Sequence, residues 1–131
     1  MTTPTKTKKK YTPEDIIEAV FYLSGVQKFS GNEGALHEFF ASVQPRYSIL
    51  NGFVFSNKGP VPTSPLLGEV MNNLLFCRTI SLTDNLDNYM VTDSCREEVK
   101  SALSLFSAEE VKELREIGNE FKKNQSRLKR R

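Results

Sequence analysis

Between Gly59 and Thr92 the chain reads GPVPTSPLLGEVMNNLLFCRTISLTDNLDNYMVT, and this stretch constrains the fold more than any other. Ser64-Pro65 is a hydroxyl cap followed by proline at the first helical position, a strong helix start. It predicts a helix from Pro65 to about Cys77, with Leu67, Val70, Met71, Leu74 and Leu75 at helical spacing on its inner face. Glu69, Asn72, Asn73 and Phe76 fall along the opposite face. Ile80-Ser81-Leu82-Thr83 and Asn88-Tyr89-Met90-Val91 then alternate as two half-buried strands around the polar loop Asp84-Asn85-Leu86-Asp87. Thr92 caps the next helix.

Helices are expected on both sides. Thr12-Pro13-Glu14-Asp15 caps a first helix that buries Ile16, Ile17, Val20, Phe21 and Leu23, and Gly25 is placed to end it in a left-handed conformation. Asn32 caps a second helix with Leu36, Phe39, Phe40 and Val43 on its inner face, stopped by Pro45. His37 lies one position off that stripe, at a boundary or in solvent. Tyr47, Ile49 and Leu50 suggest one further turn, and Phe53-Val54-Phe55 a short third strand for the small sheet. The helix after Thr92 buries Cys95, Val99, Ala102, Leu103 and Phe106. Ser107 with Glu110 forms a capping box for a last helix.

In that last helix Val111, Leu114, Gly118 and Phe121 repeat at spacings of three and four, and the series extends to Gln125 and Leu128. Two uses fit this seam: docking on its own domain, or forming a homodimer through the C-terminal helix. Gly118 and Gln125 are poor seam residues, which favours the first.

The charge is divided. The formal net charge is +2. Residues 1–10 carry Lys6, Lys8, Lys9 and Lys10, and residues 122–131 carry Lys122, Lys123, Arg127, Lys129, Arg130 and Arg131, with no acid in either segment. The remaining 8 of the 18 basic residues face all 16 acids in residues 11–121, so the body is −8 and the ends together +10. Basic ends favour phosphate or acidic surfaces, which an acidic body repels. The expected organisation is a basic arm without regular structure at 1–10, one domain at 11–121 and a basic tail at 122–131, fraying from Arg127.

Some classes of function find no support in the residues. No apolar run approaches the roughly 20 residues that cross a bilayer, so no membrane role is expected. MTTPTKTKKK lacks the apolar core of a secretion signal, giving a cytoplasmic expectation. Cys77 and Cys95 are not paired as CxxC and His37 is the single histidine, so no metal or other cofactor is expected. Both cysteines are read as buried thiols. No nucleophile, base and orienting group form a recognisable set, and Glu97-Glu98 and Glu109-Glu110 read as solvated helix faces. The chain is not expected to be an enzyme.

The order of turn, helix, hairpin and cap suggests the second half of a winged helix-turn-helix, and so a mainly α fold with a small β-hairpin or three-stranded sheet. The run GPVPTSPLLGEVMNNLLFCRTIS followed by Tyr89-Met90-Val91-Thr92 resembles prokaryotic winged-helix regulators. The Gly59-Pro60-Val61 turn is also similar to one in Panacea-type antitoxin and phage-associated proteins. The first resemblance implies DNA binding. Its carriers are Lys58, Ser64, Asn72, Asn73 and Arg78 around the third helix, with Lys8, Lys9, Lys10, Arg127, Lys129, Arg130 and Arg131 gripping phosphates. The second implies a protein partner, met by Glu69 and Phe76 and by Val111, Leu114 and Phe121. Acids count against the DNA reading: Glu69 on the helix, and Asp84 and Asp87 at the hairpin tip, would repel phosphate.

Overall fold

The helix starts are closed by the residues the sequence marks for them. In the computed structural model, which describes residues 11–83 and 88–129, Thr12 Oγ1 accepts from the Asp15 amide at 3.2 Å while Asp15 Oδ2 accepts from the Thr12 amide at 2.9 Å. This reciprocal cap opens α1, Pro13–Ser24. Asn32 opens α2, Glu33–Val43, through its Oδ1 and the Ala35 amide at 3.0 Å. Ser64 opens α3, Pro65–Phe76, and Thr92 opens α4, Asp93–Ala102. Ser107 and Glu110 cap α5, Ala108–Lys129, with bonds of 2.8 and 3.1 Å. Each such bond satisfies an amide the helix leaves free, and losing one costs about 1 kcal/mol. Gly25 ends α1 at φ 75°, a left-handed position that glycine occupies without strain.

The protein is mainly helical with a three-stranded antiparallel sheet of order β1-β3-β2, formed by Lys28–Ser30, Ile80–Leu82 and Asn88–Val91. The expected hairpin is present, with Ile80 opposite Val91 and Leu82 opposite Tyr89. The loop Asp84 to Asp87 lies outside the described residues. The third strand is not Phe53-Val54-Phe55 but Lys28–Ser30, which pairs with β3 through Phe29 and Tyr89. The Gln44 side-chain Nε2 donates to the Leu50 and Phe53 carbonyls, and the Phe53 backbone amide donates to the Leu50 carbonyl. That segment is therefore a loop, clipped where Ser56 bridges Thr63.

Phe29 fastens the sheet to the helices. Its ring lies 4.6 Å from Phe21 of α1 and 5.3 Å from both Phe121 of α5 and Tyr89 of β3, centroid to centroid. Phe39 of α2 meets Phe121 at 5.4 Å. Aromatic pairs at these distances add about 0.5–1.5 kcal/mol each beyond the apolar area they bury.

α1 is the hub, packed by α3, α4 and most extensively α5. Covered on several sides, it buries every residue from Ile16 to Phe21, including Glu18 and Ala19. Leu114, Ile117 and Phe121 of α5 are wholly buried in this packing. The seam is therefore spent inside the domain, and Leu114 and Phe121 are not available to a partner; Val111 is half-buried against the same core. Gln125 does not extend the seam either: its Oε1 accepts from the Ser30 amide at 3.1 Å, closing the outer edge of β1. At the other end, Tyr11 stacks on Phe106 at 4.4 Å and donates to Glu110 Oε2 at 2.6 Å.

Candidate interaction surface

The outer face of α3 is built by subtraction. Leu67, Val70, Met71 and Leu74 go into the core, and the helix period leaves Glu69, Asn72, Asn73 and Phe76 in solvent. Phe76 is 87% exposed and packs beneath neither the hairpin nor the last helix. Val54 in the 53–55 loop, at 73%, is the next most exposed large apolar side chain among the described residues. α3 itself contains no Lys or Arg.

The neighbouring polar groups are unequal. Asn73 Nδ2 donates to Glu14 Oε2 of α1 at 2.7 Å, which occupies its amide with a carboxylate. Asn72 is exposed, with no side-chain hydrogen bond among the described residues. Arg78 is exposed and takes φ 64°, the only positive φ of a non-glycine residue among the described residues. Such a conformation costs an L-residue about 1–2 kcal/mol. It is held by the Thr92 hydroxyl, 2.8 Å from the carbonyl oxygens of both Arg78 and Thr79. The chain thus leaves α3 in a fixed direction, with Phe76, Cys77 and Arg78 all exposed at the corner.

Ser64 does not belong to any exposed surface. It is 1% exposed; its hydroxyl accepts from the Leu67 amide at 3.2 Å and its amide donates to His37 Nδ1 at 3.0 Å. His37 is correspondingly buried rather than solvent-facing. Burial holds its imidazole below the usual histidine value, in the neutral form that accepts this bond. Lys58 is exposed in the loop that Ser56 and Thr63 close. The cysteines divide: Cys95 is buried, with burial pushing its thiol up to about 12, whereas Cys77, at the end of α3, is exposed.

The basic residues of the C-terminal segment begin on a helix. α5 continues to Lys129 and carries Lys122, Lys123 and Arg127 exposed. Lys8, Lys9, Lys10, Arg130 and Arg131 lie outside the described residues. Sequence reasoning missed Glu18, the His37 bond and the edge closure by Gln125, all of which depend on groups distant in the chain.

No known protein-family model, curated protein or solved structure matches this chain. Among the described residues no helix is long and apolar enough to cross a membrane.

Proposed function

We propose that this chain is a non-enzymatic protein-binding module on a winged-helix-like scaffold, docking through the outer face of α3. The observation that carries this reading is Phe76, 87% exposed at the end of a helix with no positive charge. The order α1-β1-α2-α3-β2-β3, with β3 central in the sheet, is compatible with winged-helix regulators. In those proteins a groove-reading helix offers Arg, Lys, Asn or Gln to base edges and needs cations for phosphates. Here the third helix offers Glu69, two amides of which that of Asn73 is already bonded to a carboxylate, and an aromatic ring, with no Lys or Arg for phosphates.

An exposed ring suits a partner pocket: fully burying a Phe side chain is worth about 1.5–3 kcal/mol, and aromatic residues dominate interface anchors. The complementary surface is an apolar pocket with a hydrogen-bonding rim for Asn72 and a basic group for Glu69. Arg78, outside the helix, extends the patch. The test is affinity capture with wild type, Phe76→Ala and Asn72→Ala. One protein whose capture falls at least about tenfold with Phe76→Ala is expected, since tenfold is only about 1.4 kcal/mol. Capture of every protein unchanged by Phe76→Ala would remove the reading.

A second reading has its own observation. The exposed Lys122, Lys123 and Arg127 stand on the last turns of α5, which hold no acid after Glu120. A cationic helix end of this kind supports salt-dependent, sequence-independent attachment to nucleic acid. Mobility shifts of random duplex would then weaken when these three residues become alanine and ignore Phe76→Ala.

A further inference from the structure

Arg78 occupies a backbone position made for glycine. α3 closes on a pair of bonds: the Arg78 amide donates to the Leu75 carbonyl at 3.1 Å, and the Thr79 amide to the Leu74 carbonyl at 2.9 Å. This paired closure puts its left-handed residue at position 78, where φ is 64°, and glycine meets that demand with no clash between Cβ and backbone. α1 meets the same demand with Gly25 at φ 75°. Arg78 is thus held at a conformational cost that glycine would not incur. Among the described residues its side chain gives the fold no bond in return: the residue is exposed, and its guanidinium makes no hydrogen bond or ion pair.

The guanidinium belongs to the same corner as the exposed ring. Phe76 and Arg78 are two residues apart, so their Cα atoms lie within about 7 Å of each other. The Thr92 hydroxyl, 2.8 Å from the Arg78 carbonyl oxygen, fixes the corner that carries both. The helix face leading to it is acidic: α3 contributes Glu69 and no Lys or Arg, and Asn73 holds Glu14 of α1 at 2.7 Å. Attachment to a phosphate backbone draws on several cations, and one cation among acids does not supply it. A single carboxylate needs only one, and the planar fork of a guanidinium meets it with two parallel bonds. Arginine and aromatic residues are also the side chains enriched among interface anchors.

We propose that Arg78 sets the specificity of the α3 surface, and that the partner it fits carries a carboxylate on the rim of the apolar pocket that takes Phe76. This rests on the protein-docking reading and names the chemistry of the partner. The strain at position 78 belongs to the free chain, whereas the bond to the carboxylate belongs to the complex. The two therefore separate in variants: glycine relieves the first and abolishes the second, and alanine abolishes the second alone.

The test measures folding and capture on the same full-chain variants. Arg78→Gly should raise Tm by about 2–4 °C, because the left-handed residue no longer carries a Cβ. Its capture of the protein that depends on Phe76 should fall at least about tenfold. Arg78→Ala should lose capture equally with no gain in Tm, and Arg78→Lys should recover part of it at low salt. In the captured protein, exchanging one surface Asp or Glu for its amide should weaken capture by wild type and leave capture by Arg78→Ala unchanged. A Tm that falls with Arg78→Gly would make the residue a structural one and overturn the proposal. So would a captured protein in which no such exchange has this effect. Equal capture of a Phe76-dependent protein by wild type, Arg78→Gly and Arg78→Ala would overturn the role of Arg78 and leave the docking surface standing. Random-duplex binding lost in Arg78→Gly with capture unchanged would give the guanidinium to phosphate instead. Capture of no protein through Phe76 would remove the docking surface, and this partner with it.

Discussion

Gly118 of α5 lies against the backbone of Ser24 in the last turn of α1: a Cβ at position 118 would stand 3.0 Å from the Ser24 nitrogen and 3.2 Å from its Cα. Both neighbours are main chain and cannot swing aside. Alanine at this site gains about 1 kcal/mol of helix propensity, but forcing the two helices apart costs about 1–3 kcal/mol. Gly118→Ala is therefore expected to lower stability by up to about 2 kcal/mol in urea unfolding, opposite in sign to glycine-to-alanine changes at exposed helical sites. A higher midpoint would mean that α5 can shift on α1.

The α1–α5 seam predicts a monomer whose stability does not depend on concentration. Leu114→Ala removes buried apolar volume from the domain itself and should cost about 2–5 kcal/mol, unfolding the chain rather than dissociating an oligomer. Melting over a hundredfold range of protein concentration checks this, because a linked dimer would raise Tm with concentration.

Gln125 protects a sheet edge. With Gln125→Ala the Ser30 amide loses its acceptor, costing about 1 kcal/mol, and the edge of β1 is open to pairing with another chain. Sedimentation should show association in the variant at concentrations where wild type remains monomeric. No change in either property would show that the 3.1 Å bond carries nothing.

His37 gives an acid limb to the pH profile. Its folded value is lowered below the ordinary one near 6.5, so its contribution is present above that value and is lost as pH falls through the folded value. Protonation turns Nδ1 into a donor facing the Ser64 amide. Because burial raises the Glu18 carboxyl to about 7, its contribution slopes the other way, and the measurement belongs in a Glu18→Gln background. There, stability should fall on acidification from about pH 6.5, and His37→Leu should flatten that limb while costing about 1–2 kcal/mol at neutral pH through the unpaired Ser64 amide.

These cases show what a sequence can express. The caps at Thr12, Asn32, Ser64, Thr92 and Ser107 were legible because each joins residues three apart in the chain. The hairpin was legible because its strands alternate in polarity. β1 was not: Phe29 is the single large apolar residue in Lys28–Ser30, and one residue has no period, so Phe53–Phe55 drew the assignment instead. Glu18 carries no local sign of burial, which comes from the packing of α4 on α1, and His37 reads as a boundary residue until the 59–64 loop returns over it. The outer face of α3 was legible down to its residues, apart from the buried Ser64. Whether Phe76 was free depended on the position of the hairpin and of α5.

The most direct test of the account places a photo-activatable phenylalanine analogue at position 76, with a second at Val54, the next most exposed large apolar side chain among the described residues, as control. Irradiated in cells that make the protein, the position 76 probe should give one defined protein adduct that the Val54 probe does not. Nucleic-acid adducts at position 76, or the same protein adducts from both positions, would contradict docking through α3.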